Sequence, residues 1–102
     1  MPSPLAYSFR AELLPWEVRR DLWTLVTLPR DVSEEIREVV GDLRRGFGAV
    51  RVRARIGATT WSTSVFPQTA GGCYVLPVKR SVRDANRLDV GDEVDVSLDL
   101  VL

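Results

Sequence analysis

Apolar side chains fall on alternate positions at the start of the chain. Leu5, Tyr7, Phe9, Ala11 and Leu13 are interleaved with Ala6, Ser8, Arg10 and Glu12. A period of two over this length predicts a strand with one buried face. Pro15, Trp16 and Glu17, then Arg19, Arg20 and Asp21, interrupt the pattern as a hairpin connection would. Leu22 to Leu28 reads LWTLVTL, apolar on both faces and rich in β-branched and aromatic types, which predicts a central strand stopped by Pro29. The period then changes. Val32, Ile36, Val39, Val40 and Leu43 follow the i, i+4, i+7, i+8, i+11 spacing of one helical face. Asp31 is the expected N-cap, with Glu34 in the reciprocal position of a capping box. Arg44 and Arg45 fall beside the last carbonyls and Gly46 suits a left-handed stop. The helix is expected to lie across one mouth of the β-structure.

Alternation returns from Gly48 to Ile56, with Val50, Val52, Ala54 and Ile56 on one face and Arg51, Arg53 and Arg55 on the other. Gly57-Ala58 predicts a tight connection into Thr59 to Phe66, another β-prone run. Pro67 to Gly72 reads as a loop, and Cys73 to Val78 as a short strand. Lys79 to Leu88 predicts a brief helix, with Ser81 and Asp84 in capping-box spacing. Gly91-Asp92 turns the chain into a last strand, where Val94, Val96, Leu98 and Leu100 alternate with Glu93, Asp95, Ser97 and Asp99. The expected fold is mainly β with two helices: a small antiparallel barrel of about six strands, one domain over residues 1–102, without linker or repeat.

A length of 102 residues suits one hydrophobic core. At 45% hydrophobic and 27% charged residues, the chain reads as globular rather than disordered. Fourteen basic residues balance fourteen acidic ones, so a nucleic-acid or membrane role would need local charge segregation. There is no histidine, which removes the usual proton carrier near neutral pH and the commonest metal ligand. Cys73 is the sole cysteine, so an intrachain disulfide and a cysteine-rich zinc site are both excluded. Without histidine, a nucleophilic Cys73 would need a nearby arginine or a helix N-terminus, and an inert thiol is the expectation. No signal-peptide pattern follows Met1, no run approaches the length of a membrane span, and a cytoplasmic location is expected. No carboxylates converge in the pattern. The chain is expected to be no enzyme and to hold no cofactor or metal.

Two basic groups and the aromatics are the candidate sites. Arg51, Arg53 and Arg55 on one strand face could follow a phosphate backbone. The plainer expectation is a solvated face balanced by Glu93, Asp95 and Asp99 on a neighbouring strand, at roughly 0.2–1 kcal/mol a pair. Lys79, Arg80, Arg83 and Arg87 surround the short helix, where Arg80, Arg83 and Arg87 would share a face. Anion contact is one use of them; bracing the turn at Asp89 or Asp92 is the alternative for Arg83. Aromatics in so small a barrel belong mainly to the core. Trp61, amid Thr59, Thr60, Ser62, Thr63 and Ser64, becomes an interface anchor if it points outward, and Trp16 is the next candidate.

Several short motifs carry a resemblance. Trp23-x-x-Val26-x-Leu28-Pro29, Val50-x-Val52 leading to Gly57, Thr63-Ser64 with Pro67, Tyr74-x-Leu76-Pro77-Val78-Lys79, Val82-Arg83 and Gly91-Asp92-x-Val94 stand in this order. From Trp23 onward the chain resembles a bacterial family of small domains of unknown function, sometimes found beside a bacteriocin-protection (OmpD-associated) segment. The last third is similar to the AbrB and SpoVT transcription factors, which implies the double-split β-barrel of that superfamily. DNA contacts in those proteins come from the dimer, so the resemblance carries none onto Lys79, Arg80 or Arg83. The leading expectation is a binding module for a protein partner or for itself. Its contact would be an edge strand or the Pro67–Gly72 loop, with Trp61 or Trp16 as anchor. A DNA-binding regulator is the alternative, and a small-ligand barrel stands third.

Overall fold

The computed structural model describes residues 5–16, 23–41, 48–68 and 72–101. In chain order the elements are β1 (Ala6–Glu12), β2 (Leu14–Pro15), β3 (Thr24–Thr27), α1 (Arg30–Val40), β4 (Val50–Ile56), β5 (Thr59–Pro67), β6 (Tyr74–Val78), α2 (Arg80–Asn86) and β7 (Glu93–Leu100). The strands form one seven-stranded sheet in the order β1-β7-β4-β5-β6-β3-β2, antiparallel at every step.

The two ends of that order are neighbours in the chain. Only Leu13 separates β1 from β2, so a single run pairs with β7 in its first part and with β3 in its second. The sheet therefore curls back on itself, as expected of a small antiparallel barrel. Leu13 is fully buried at the switch. Its N–H donates to the Asp92 carbonyl at 2.8 Å, and its own carbonyl accepts from Gly91 N–H at 2.8 Å. The first expected strand thus counts as two, giving seven against about six expected, and the run ends at Pro15. Pro15 of β2 still pairs, opposite Thr24 of β3, an edge position where its missing N–H costs no ladder bond. The remainder of the expected hairpin connection, including Glu17, Arg19, Arg20 and Asp21, lies outside the described residues, as does Leu22.

The strand faces follow the alternation. Val50, Val52, Ala54 and Ile56 point inward, as do Val94, Val96, Leu98 and Leu100. Tyr7, Phe9 and Ala11 of β1 pack against the same core while remaining half-buried. Helix α1 contributes Val32, Ile36 and Val40, while Val39 remains partly exposed. Burial, then the charge of Glu35, pushes the Tyr7 hydroxyl above its ordinary value of 10.0. At the other flank of α1, Ser33 Oγ accepts from the Tyr74 N–H at 3.0 Å, and the Arg37 guanidinium sits 5.5 Å from the Tyr74 ring centre and donates to the Gly72 carbonyl. The helix thus closes the end of the barrel where β6 begins.

Neither helix is capped as expected. Pro29 occupies the N-cap of α1 and Lys79 that of α2, and neither makes a side-chain cap bond. Asp31 falls instead inside the first turn, where its charge suits the exposed N–H groups. Helix α1 stops at Val40 because Gly41 adopts φ 36° and donates back to the Arg37 carbonyl. The stop expected at Gly46, together with Leu43, Arg44 and Arg45, lies outside the described residues. Helix α2 ends on Arg87 in the left-handed region, φ 54°. Among the described residues, no helix is long and apolar enough to cross a membrane.

One polar group is out of place in this core. Tyr74 is fully buried, and its hydroxyl has no hydrogen-bond partner among the described residues. An unsatisfied buried hydroxyl costs about 1–3 kcal/mol. Tyr74→Phe removes that cost and keeps the ring, so we expect it to raise the unfolding free energy by about 1 kcal/mol. Chemical denaturation would read the gain as a higher midpoint at unchanged slope.

Candidate functional site

The β4–β5 hairpin holds the candidate site, and its geometry starts at the loop. Gly57 has φ 58° and Ala58 an ordinary negative φ, the II′ arrangement that suits a two-residue hairpin. Such a loop closes on a hydrogen-bonded pair, here Ile56 and Thr59, and the pairing type alternates from there. Residues 61, 63 and 65 therefore exchange bonds with β4. Thr60, Ser62 and Ser64 turn their N–H and carbonyl groups away from it. An independent bond agrees with this parity: the Arg51 carbonyl, opposite Ser64, accepts from Val101 N–H on the β7 side at 2.9 Å.

What β5 meets on its other edge decides whether those groups are used. Its ladder with β6 consists of Phe66↔Val75 and Pro67↔Tyr74. Extending that register would set Ser64 against Pro77, which has no N–H to contribute. At the opposite end, α2 comes alongside: Asn86 Nδ2 donates to Thr59 Oγ1 at 3.0 Å and to the Val82 carbonyl at 2.9 Å. Between these two limits, Thr60 to Ser64 forms ladder pairs with β4 only, among the described residues, while β6 runs on past the last β5 pair to Val78. Thr60 and Ser62 are exposed and Ser64 is half-buried. The segment contains no charge, no proline and no bulge, the usual devices that protect a strand edge.

The outer face beside this edge carries the arginine stripe. Arg51, Arg53 and Arg55 are exposed and lie opposite Ser64, Ser62 and Thr60 of β5. On the other side, β7 sets Asp99 against Arg53 and Ser97 against Arg55. Strand β7 is thus the acidic neighbour expected from the sequence, yet the charges do not neutralise pairwise. Asp95 is engaged by Arg10 of β1 at 3.3 Å. Arg51 donates to Ser64 Oγ at 3.4 Å and Arg55 to the Gly57 carbonyl at 3.1 Å. Among the described residues, no ion pair joins the stripe to a carboxylate.

The second basic group does not form one face. Arg80 pairs with Asp84 at 3.7 Å across one helical turn, an exposed contact contributing about 0.3–0.5 kcal/mol. Arg83 is half-buried and engaged, Lys79 is the exposed N-cap, and Arg87 leaves the helix in its left-handed conformation. The Asp89–Asp92 turn is braced by Asp92 itself, whose carboxylate accepts from Asp89 N–H at 2.8 Å.

The two tryptophan candidates have different settings. Trp61 points inward, opposite Ala54, and is half-buried against the core. The small Ala54 side chain leaves room for the indole, so Trp61 borders the open edge rather than projecting from the outer face. Trp16 packs edge-to-face on Trp23, with centroids 6.5 Å apart and planes at 83°, and its N–H donates to the Trp23 carbonyl. That contact secures the connection between β2 and β3. The Pro67–Gly72 loop falls partly outside the described residues. A hollow of about 510 Å³ runs along the outside of α1, lined by Asp31, Glu34, Glu35, Arg37 and Glu38, and the barrel interior is occupied by side chains.

Sequence reading placed the arginine stripe and the hairpin correctly. It did not identify Thr60, Ser62 and Ser64 as the outward-directed positions, although the two-residue loop and Pro77 are signals that carry that parity. No curated protein matches the chain. A family model described as Domain of unknown function (DUF1905) matches residues 9–98, from within β1 to within β7, and the chain belongs to that family.

Proposed function

We infer that the chain is a non-enzymatic binding module, bacterial and cytoplasmic, that engages protein by adding a strand to β5. The observation carrying this reading is that the β5–β6 ladder ends at Phe66, which leaves Thr60, Ser62 and Ser64 with ladder pairs to β4 alone among the described residues. Main-chain bonds supply the affinity in this mode, and neighbouring side chains supply selectivity. Each bond contributes only about 0.5–1.5 kcal/mol net. Association itself costs at least about 4 kcal/mol, so the backbone alone gives weak capture and the half-exposed Trp61 ring must add to it.

The test is a residue-resolved NMR titration with a short peptide of alternating threonine and valine. Shifts confined to Thr60–Ser64 and their β4 neighbours are expected, and Ser62→Pro should remove them. The Ser62 N–H points away from β4, so this proline breaks no bond within the hairpin. Absence of shifts at millimolar peptide, or shifts centred elsewhere, would dismiss strand addition.

The unpaired stripe favours a second reading, an AbrB-like contact with a nucleic-acid backbone. Arginines two apart on a strand stand about 6.8 Å from one another, a spacing that follows successive phosphates. Three phosphate contacts on duplex DNA give a log–log salt slope of about −2.7. Fluorescence anisotropy on a labelled mixed-sequence duplex should show that slope, abolished when Arg51, Arg53 and Arg55 are replaced by serine. Binding that ignores salt, or none at low salt, counts against it.

A further inference from the structure

We propose that the nucleic acid suited to the arginine stripe is a single strand, with phosphates on Arg51, Arg53 and Arg55 and a base at the Arg51 end stacked on Phe66. The inference rests on the nucleic-acid reading and adds the form of the ligand.

Cross-strand register brings these parts together. Val65 lies in the core opposite Val50, so Phe66, the next residue of β5, faces outward and is 38% exposed. Arg51 stands opposite Ser64, two residues from Phe66 on the same face. Phe66 is therefore a diagonal neighbour of Arg51, with Cβ atoms about 7–8 Å apart, a gap that an aromatic ring and a long side chain can span. On its other side Arg51 meets Val101, whose N–H donates to the Arg51 carbonyl and which is 53% exposed. The stripe thus runs from Arg55 and Arg53, which face the hydroxyls of Thr60 and Ser62, to an apolar end at Arg51.

Electrostatics confine a polyanion to one side of the stripe. Among the described residues Arg53 makes neither a hydrogen bond nor an ion pair. The long contact of Arg51 with Ser64 Oγ draws its guanidinium towards β5, the strand that carries Phe66. Asp99, opposite Arg53 on β7, repels phosphate from the other side. The favourable track therefore lies between β4 and β5, one strand step of about 4.8 Å. Thr60, Ser62 and Ser64 offer hydroxyl donors along it and are too short to obstruct it. A single backbone fits this track. A duplex brings a second row of phosphates and keeps its base faces inside the stack, so it gains the arginines without the ring. Stacking one base on an aromatic side chain strengthens single-strand binding by about fivefold or more.

Fluorescence anisotropy on the full chain tests this with three labelled probes of equal length: a thymine oligonucleotide, an abasic phosphodiester strand and a mixed-sequence duplex. Both single strands should show a log–log salt slope of about −2.1, the value for three phosphates. The thymine strand should bind about fivefold or more tightly than the abasic one at every salt concentration. Phe66→Leu should erase that difference and leave duplex binding unchanged, whereas Phe66→Tyr should keep it, with melting temperatures showing that both variants are folded. The wild-type comparison of thymine and abasic strands decides the matter even if Phe66→Leu does not fold. Equal affinity for those two strands overturns the proposal, as does a thymine advantage that survives Phe66→Leu. The nucleic-acid reading fails separately: salt-dependent binding of duplex and abasic strand without a thymine advantage rejects only the stacked base, and no binding of any probe rejects both.

Discussion

Leu13→Ala is expected to lower the unfolding free energy by about 3–5 kcal/mol, near the top of the range for buried leucines. Leu13 has no exposed surface and sits where one chain segment leaves β7 and joins β3. Its backbone N–H and carbonyl are both held by the Gly91–Asp92 turn, so the chain cannot slide to fill the space left by a smaller side chain. A cavity at such a point keeps most of its cost because its walls do not relax. Leu14, the adjacent residue, supplies the contrast. It is 36% exposed on the outside of the same segment, and its change to alanine should cost less than about 1 kcal/mol. A denaturant titration of the two variants separates the outcomes. Equal losses would mean that the Leu13 junction does not close the barrel.

Gly57→Ala should cost about 2–4 kcal/mol, the other large effect. An alanine at φ 58° costs about 1–2 kcal/mol in backbone strain. Its Cβ would also run into Asn86 Oδ1, in a side chain held by Thr59 and Val82. Displacing Asn86 forfeits two hydrogen bonds of about 0.5–1.5 kcal/mol each. The two contributions are separable. Because Asn86→Ala removes the obstacle, the double variant should lose less than the sum of the single losses, which a double-mutant cycle measures. Strict additivity would show that Asn86 is not what confines Gly57. The position matters beyond stability, since this contact sets α2 against Thr59 and so fixes one limit of the open edge.

Local pattern made most of the architecture legible. The alternation in β1, β4 and β7 gave both the strands and their buried faces, because a half-buried strand needs only a period of two. Helix ends were less legible. Asp31 and Ser81 stand in capping-box spacing, but Pro29 and Lys79 take the N-cap positions, and Arg87 makes a left-handed turn with no glycine to announce it. The closure at Leu13 could not be read at all, since nothing local distinguishes one strand from a strand that changes partner midway. The same limit applies at the candidate site. Arg51, Arg53 and Arg55 were evident as a stripe, whereas the lack of carboxylate pairing depends on Asp95 choosing Arg10, a matter of strand order. Trp61 stood out in the sequence for its hydroxyl neighbours. Those neighbours proved the more informative feature, because alternate members of the run direct their backbone groups outward.

Residue-resolved hydrogen–deuterium exchange on the monomer tests the central claim, an open edge on β5, most directly. The Trp61, Thr63 and Val65 amides should be protected, while those of Thr60, Ser62 and Ser64 exchange as unpaired groups and slow only when a strand is added. Equal protection of all six in the monomer would mean that the chain already covers this edge, and would contradict the account.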